Sequence, residues 1–235
     1  MVTRLRLAMS GLLLAAAFGL VVGVGCNGDD EGEVTPTPAT SEVEAQLQQL
    51  VLQLDDLPTG VMKVDDRFVT NDVSAASSED SAQRLAQLEE WGRILGYDVT
   101  YQSSPEIMEQ IGLLLVNSTA SLYSSEDGAS DSFDDAVEAA GVTDWASVLG
   151  AEQGVDVDEL TSPDWVDEML WLRITAKTAA GEEPPEETLT SDMVIFRQGP
   201  ARGSLQIAWI MGRTSSDLIV QIAEAQAQHL KDAFP

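Results

Sequence analysis

Between Leu7 and Gly25 the chain carries no charged residue, and at Cys26 this apolar run gives way to NGDDEGEVTPTPAT, where acids, Gly and Thr-Pro pairs leave nothing to bury. That seam decides how much of the chain is available to fold. Arg4 and Arg6 precede the apolar run, and a basic start, an apolar centre and small residues, in that order, make an export signal. Residues 1–25 are therefore read as a signal peptide and 26–40 as a tether extended by charge repulsion and proline stiffness. Residues 41–235 remain as a single folded domain. The run approaches the ~20 residues that cross a bilayer, so an uncleaved helix is the rival reading of the same segment. On either reading the domain lies outside the cytoplasmic membrane, because the basic start stays inside.

Cys26 is the only cysteine, so no intrachain disulfide can form and stability must come from the core. Val24, Gly25 and Cys26 resemble the end of the lipobox of bacterial lipoproteins, although Gly23 stands where that motif usually has Leu or another branched aliphatic residue. The resemblance implies cleavage before Cys26 and a diacylglycerol thioether on its sulfur, the thiolate being the nucleophile. Each buried methylene of an acyl chain contributes about 0.8 kcal/mol, so two or more chains hold a protein almost permanently. Membrane lipid is then the expected partner, and the extracytoplasmic face of the cell membrane the expected location.

The charge narrows the remaining partners. There are 40 acids against 12 basic residues, a net charge of −28, and two of the basic residues are Arg4 and Arg6. Binding to nucleic acid needs clustered Lys and Arg to displace counterions, so nucleic acid is not an expected partner. An envelope protein or a hydrophobic ligand remains open.

Within 41–235, helical and strand periods alternate. Apolar spacing predicts a first helix from Ser41 into LDD with Val43, Leu47, Leu50, Val51 and Leu54 on one face, then a strand from Val61. A second helix spans Ser77 to Gly96, burying Leu85, Leu88, Trp91 and Leu95, before the short strand YDVTYQ. IGLLLVNSTASLY reads as a long strand, SSEDGASDSFDDAVEAAG as a helix, and Trp145 to Leu149 as one helical turn. EMLWLRITAKT, SDMVIFRQ and GSLQIAWIMG form a meander of three strands, AAGEEPPEET is an exposed loop, and a final helix runs from Ser216 to Asp232. The expected architecture is α+β, a mostly antiparallel sheet with amphipathic helices packed against it. SSEDSA at Ser77 recurs as SSEDGA at Ser124, an echo that helix capping alone explains. The stretch from Met193 to Leu230, through Phe196, Arg197 and Gly199, is similar to the C-terminal part of uncharacterised bacterial lipoproteins, some of which have a Mog1/PsbP-like fold. That likeness implies fold and brings no catalytic residues.

Chemistry is sparse. His229 is the only histidine, which leaves no Ser-His-Asp, Cys-His or multi-histidine site, and it reads as a solvated cation near the end of the last helix. Asp156, Asp158, Glu159 and Asp164 are the best candidates for a Ca²⁺ loop, since hard oxygen ligands at alternating positions suit that ion, yet no glycine occupies the turn an EF-hand needs. Trp145 and Trp165 could cover the mouth of an apolar pocket. No cofactor is expected. The reading is a binding or interaction module of the bacterial cell envelope, not an enzyme. A carrier of a hydrophobic ligand or lipid is the alternative, and an envelope hydrolase using paired carboxylates a weaker one.

Overall fold

The computed structural model describes residues 38–177 and 188–235. The signal segment, Cys26, nearly all of the tether and most of the AAGEEPPEET loop lie outside them.

Seven strands form one sheet in the order β1-β2-β3-β7-β6-β5-β4, and every pairing is antiparallel. They are β1 (Val61–Val69), β2 (Arg93–Ser103), β3 (Leu113–Tyr123), β4 (Val155–Glu159), β5 (Glu168–Ala176), β6 (Thr188–Gln198) and β7 (Ala201–Met211). The helices are α1 (Pro38–Leu50), α2 (Asn71–Ala75), α3 (Ser81–Glu90), α4 (Pro105–Ile111), α5 (Glu126–Val142), α6 (Trp145–Leu149) and α7 (Ser216–Ala233). This is the α+β class that the alternating periods predict, and β5, β6 and β7 do form a meander. None of the helices among the described residues is long and apolar enough to cross a membrane.

Side chains at alternate strand positions point to opposite faces, so the sheet needs two covers. On one face α1 and α7 lie side by side, burying Leu47, Leu50, Ile219 and Ile222 against Val99, Val116, Leu205 and Ile207. A buried polar link fixes α7 there: Gln226 donates to the Thr119 carbonyl at 3.0 Å and accepts from Ser118 Oγ at 2.9 Å. On the other face α5 and α6 cover the β5–β6 part, through Phe133, Trp145, Leu149, Leu172, Ile174 and Ile195, and α5 also reaches the ends of β3 and β7, where Tyr123 and Arg202 bond Ser132. A small third cluster joins α2 and α3 to α5 through Ala75, Leu88, Trp91 and Ala129.

Several boundaries differ from expectation. The first helix ends at Leu50, and a 3-10 turn over Leu54–Asp56 follows, leaving Leu54 49% exposed instead of buried. The second helix stops at Glu90 because Gly92 adopts φ +67, a left-handed conformation that reverses the chain and turns RILG into the start of β2. The apolar period carries on through Ile94 and Leu95 across this break, which is why it misleads. The SSED echo also resolves into two registers. Asp80 caps α3 by accepting from Gln83 N, whereas in the second copy Ser125 caps α5 by accepting from Gly128 N. The shared string is therefore cap chemistry used twice.

Candidate binding surface

Residues directly opposite one another on antiparallel strands share a face. On the face away from α1 and α7, one row runs Asp65, Thr100, Asn117, Gln206, Met193 across β1, β2, β3, β7 and β6. The next row runs Arg67, Asp98, Thr119, Ser204, Ile195. Both rows change character at the same place. Their β6 ends are apolar and packed under α5 and α6, while every residue from β1 to β7 is polar and either exposed or half-buried. Antiparallel sheets commonly solvate one face, but here the boundary falls within the face and leaves a polar field beside a sealed core.

The field is internally ordered. Asn117 donates to Thr100 Oγ1 at 3.0 Å, and the hydroxyls of Thr119 and Ser204 lie 2.8 Å apart. Arg67 Nε stands 3.7 Å from the Asp98 carboxylate. Burial pushes the Asp98 carboxyl above the usual carboxylate range, and the positive charges of Arg67 and Arg93 only partly offset it. A third row, Gly96, Ser121, Arg202, closes the field at its upper end, where the Arg93 side chain folds back over Gly96.

Two other polar constellations lie on the α1/α7 face. Asp192, fully buried in β6, accepts from the indole N–H groups of Trp171 at 3.1 Å and Trp209 at 2.7 Å, and Arg173 binds both of its oxygens at 2.9 and 3.2 Å. Every acceptor site there is used, so this carboxylate serves the core and meets no ligand. Nothing in SDMVIF marked the aspartate as buried. Beside α1, Tyr97 donates to Asp66 at 2.5 Å and Lys63 approaches the same carboxylate at 3.2 Å, which holds Asp66 below its ordinary range. These three and Tyr101 edge an open hollow of about 240 Å³, and another hollow, beside Asp72 and Leu85, holds about 190 Å³. Pockets for drug-sized ligands run to roughly 300–1,000 Å³.

The residues singled out in the sequence fall elsewhere. Trp145 is buried under α5, its indole N–H on the Ala140 carbonyl at 3.0 Å, in the cluster on one face of the sheet. Trp165 packs against Trp171, centroids 6.3 Å apart, in the cluster on the other face. With the sheet between them, they do not line one pocket mouth. Asp156, Asp158 and Glu159 belong to β4, not to a loop, and strand alternation turns Glu159 to the face opposite Asp156 and Asp158. Asp156 pairs with Lys177 at 2.9 Å, and Asp164 is exposed beyond the strand. Among the described residues no group of three or more His, Cys, Asp or Glu side chains is placed to hold a metal ion. His229 is not merely solvated: its Nε2 lies 2.8 Å from Asp56 in the 3-10 turn.

No protein-family model matches the chain, and no curated protein matches it. Solved structures do. The extracellular domain of PknH from Mycobacterium tuberculosis superposes with a TM-score of 0.50, covering 80% of this chain and 96% of that one at 10% sequence identity. The two share a fold.

Proposed function

We propose that this protein is a lipid-anchored binding module of the bacterial cell envelope, tethered outside the membrane through Cys26, and that its ligand meets the polar field on β1, β2, β3 and β7. The assignment is to a binder and not to an enzyme. Support for the anchor comes from the sequence: Arg4 and Arg6, an uncharged run to Gly25, the single cysteine and, after it, a stretch of acids, Gly and Thr-Pro pairs. The likeness to a domain described as extracellular agrees with that placement. The observation that carries the binding role is the abrupt change from polar to apolar along each cross-strand row, between Gln206 and Met193 and between Ser204 and Ile195. Helices seal one part of this face and leave the rest to water.

Two measurements test the reading. Cells fed radioactive palmitate should label the native protein and leave a Cys26→Ser variant unlabelled and released from the membrane; equal labelling, or equal retention, refutes the anchor. Purified protein in detergent should be retained by the insoluble cell-wall fraction of its own organism, and Asn117→Ala with Gln206→Ala should abolish that retention. Retention that survives both substitutions refutes the polar field as the binding surface.

A further inference from the structure

We propose that Arg93 and Arg202, flanking Ser121 at the upper end of the polar field, form a binding site for an oxyanion, the carboxylate or phosphate group of a ligand. The proposal names a chemistry for the ligand of that surface and rests on the surface being a binding one.

The argument starts from the scarcity of positive charge. With 40 acids and 12 basic residues, cations in this chain ordinarily find a carboxylate. Lys63, Arg84, Arg173, Lys177 and Arg197 each lie within ion-pair distance of one. Arg93 and Arg202 do not, although both sit on the same face and one of them is buried. Arg93 is only 8% exposed. Its Nε donates to Ser121 Oγ at 3.2 Å, and its Nη1 to the Val69 carbonyl at 3.1 Å and Asn71 Oδ1 at 2.9 Å. Those acceptors are neutral. Its Nη2 has no acceptor among the described residues, and it is not among the fully enclosed unpartnered atoms, so it keeps an opening toward solvent.

The backbone makes room for this arrangement. A Cβ on Gly96 would fall 2.1 Å from Arg93 Nη2, so any other residue at that position would displace the guanidinium from its place. Ser121 stands directly opposite Gly96 on one side and Arg202 on the other. Arg202 spends Nη1 on the carbonyl and hydroxyl of Ser132, at 3.1 and 3.0 Å, again neutral acceptors. Arg93 thus bonds Ser121 directly, while Arg202 leaves the strand position opposite Ser121 and reaches Ser132, and both guanidiniums keep donors that no carboxylate uses. Each charge disfavours the other, and burial adds to that cost for Arg93. An oxyanion would offset both, since guanidinium forks match the paired oxygens of carboxylate and phosphate. Asp98, one row away and turned to Arg67, is the nearest competitor for the same positive field.

The test uses the whole protein in detergent at constant ionic strength, titrated with sodium phosphate and, separately, with sodium acetate, while the arginine Nε–Hε signals are followed by NMR. Saturable shifts of the Arg93 and Arg202 signals are expected, and the tighter of the two salts identifies the kind of oxyanion. Arg202→Gln removes a charge-assisted hydrogen bond to the anion and should weaken binding roughly tenfold or more. Asp98→Asn removes the competing carboxylate and should tighten it. Absence of saturation up to about 0.15 M in both native protein and Asp98→Asn, or shifts indifferent to Arg202→Gln, overturns the site. If neither salt binds while cell-wall retention still depends on Asn117 and Gln206, only this inference falls. Phosphate or acetate binding with retention indifferent to those two residues removes the wider reading instead.

Discussion

The indole N–H of Trp209 ends on Oδ2 of Asp192, 2.7 Å away, at a point where the carboxylate is wholly buried. Arg173, whose guanidinium also stands 5.0 Å over the Trp209 ring, neutralises that carboxylate. Removing one partner of a buried pair leaves the other charge uncompensated, at a cost of about 3–5 kcal/mol. Arg173→Met should therefore lower the urea midpoint sharply. Asp192→Leu combined with Arg173→Met should be less damaging than the sum of the single changes, because neither charge is then stranded.

Gly128 and Gly141 lie in the same helix and should respond in opposite directions to alanine. A Cβ on Gly128 would fall 1.9 Å from the Trp91 carbonyl oxygen, whereas one on Gly141 meets nothing within 4 Å. Gly128→Ala is expected to destabilise by about 1–3 kcal/mol through overpacking against backbone. Gly141→Ala should stabilise by up to about 1 kcal/mol through helix propensity. Thermal unfolding of the two variants checks the contrast.

Alkali should unfold the protein through its buried phenols. Tyr101 donates to the Leu52 carbonyl at 2.6 Å, and burial pushes its hydroxyl up from 10 to about 12. Above pH 10 the unfolded chain releases this proton while the folded chain keeps it, so stability falls as pH rises from 10 toward about 12. Tyr101→Phe should flatten that part of the profile. At neutral pH it should cost about 1 kcal/mol for the lost hydrogen bond.

Asp98 gives a second pH signature, in the carboxylate range. Its raised pKa means that the folded state holds the proton more tightly than the unfolded chain, so its contribution is most favourable in acid and declines as pH rises through the folded value. Asp98→Asn should thus gain stability relative to the native protein at neutral pH and lose that advantage in acid. Chemical denaturation at the two pH values reads the difference directly.

Trp145 and Trp165 provide a direct check on the division of the core. Because the sheet separates their clusters, Trp145→Phe and Trp165→Phe should combine additively, within about 0.5 kcal/mol. A larger coupling would mean that the two side chains share an environment.

The elements that read correctly from sequence have strong apolar content: β5 and β6 are apolar toward both covers of the sheet, β7 lies beside them, and α5 and α7 each carry one buried stripe. The misreadings occur where two elements abut in phase. Leu88, Trp91 and Leu95 suit one helix until Gly92 turns the chain. The short helix α2 and the acidic strand β4 have too little apolar content to announce themselves, and α4 ends on Ile111, whose apolar character runs on into β3 and reads as part of that strand. The polar field was illegible for a different reason. Thr100, Asn117 and Gln206 each look like an ordinary solvated position of its own strand, and only the register across four strands assembles them. Asp192 was hidden by the opposite effect, since a carboxylate in a short segment reads as surface until two indoles and a guanidinium are found around it.

The strand order places β1 and β4 at the two margins of the sheet among the described residues. A margin is where a second molecule could add its own strand, and charge is one of the devices that discourages it. Lys63, Asp65, Asp66 and Arg67 interrupt one margin, which also carries an irregularity in pairing between Lys63 and Asp65, and Asp156, Asp158 and Glu159 interrupt the other. Copies meeting edge to edge would set a mixed-charge, irregular rim or an acidic one against each other, and neither offers an unbroken template on which strands could stack into a fibre.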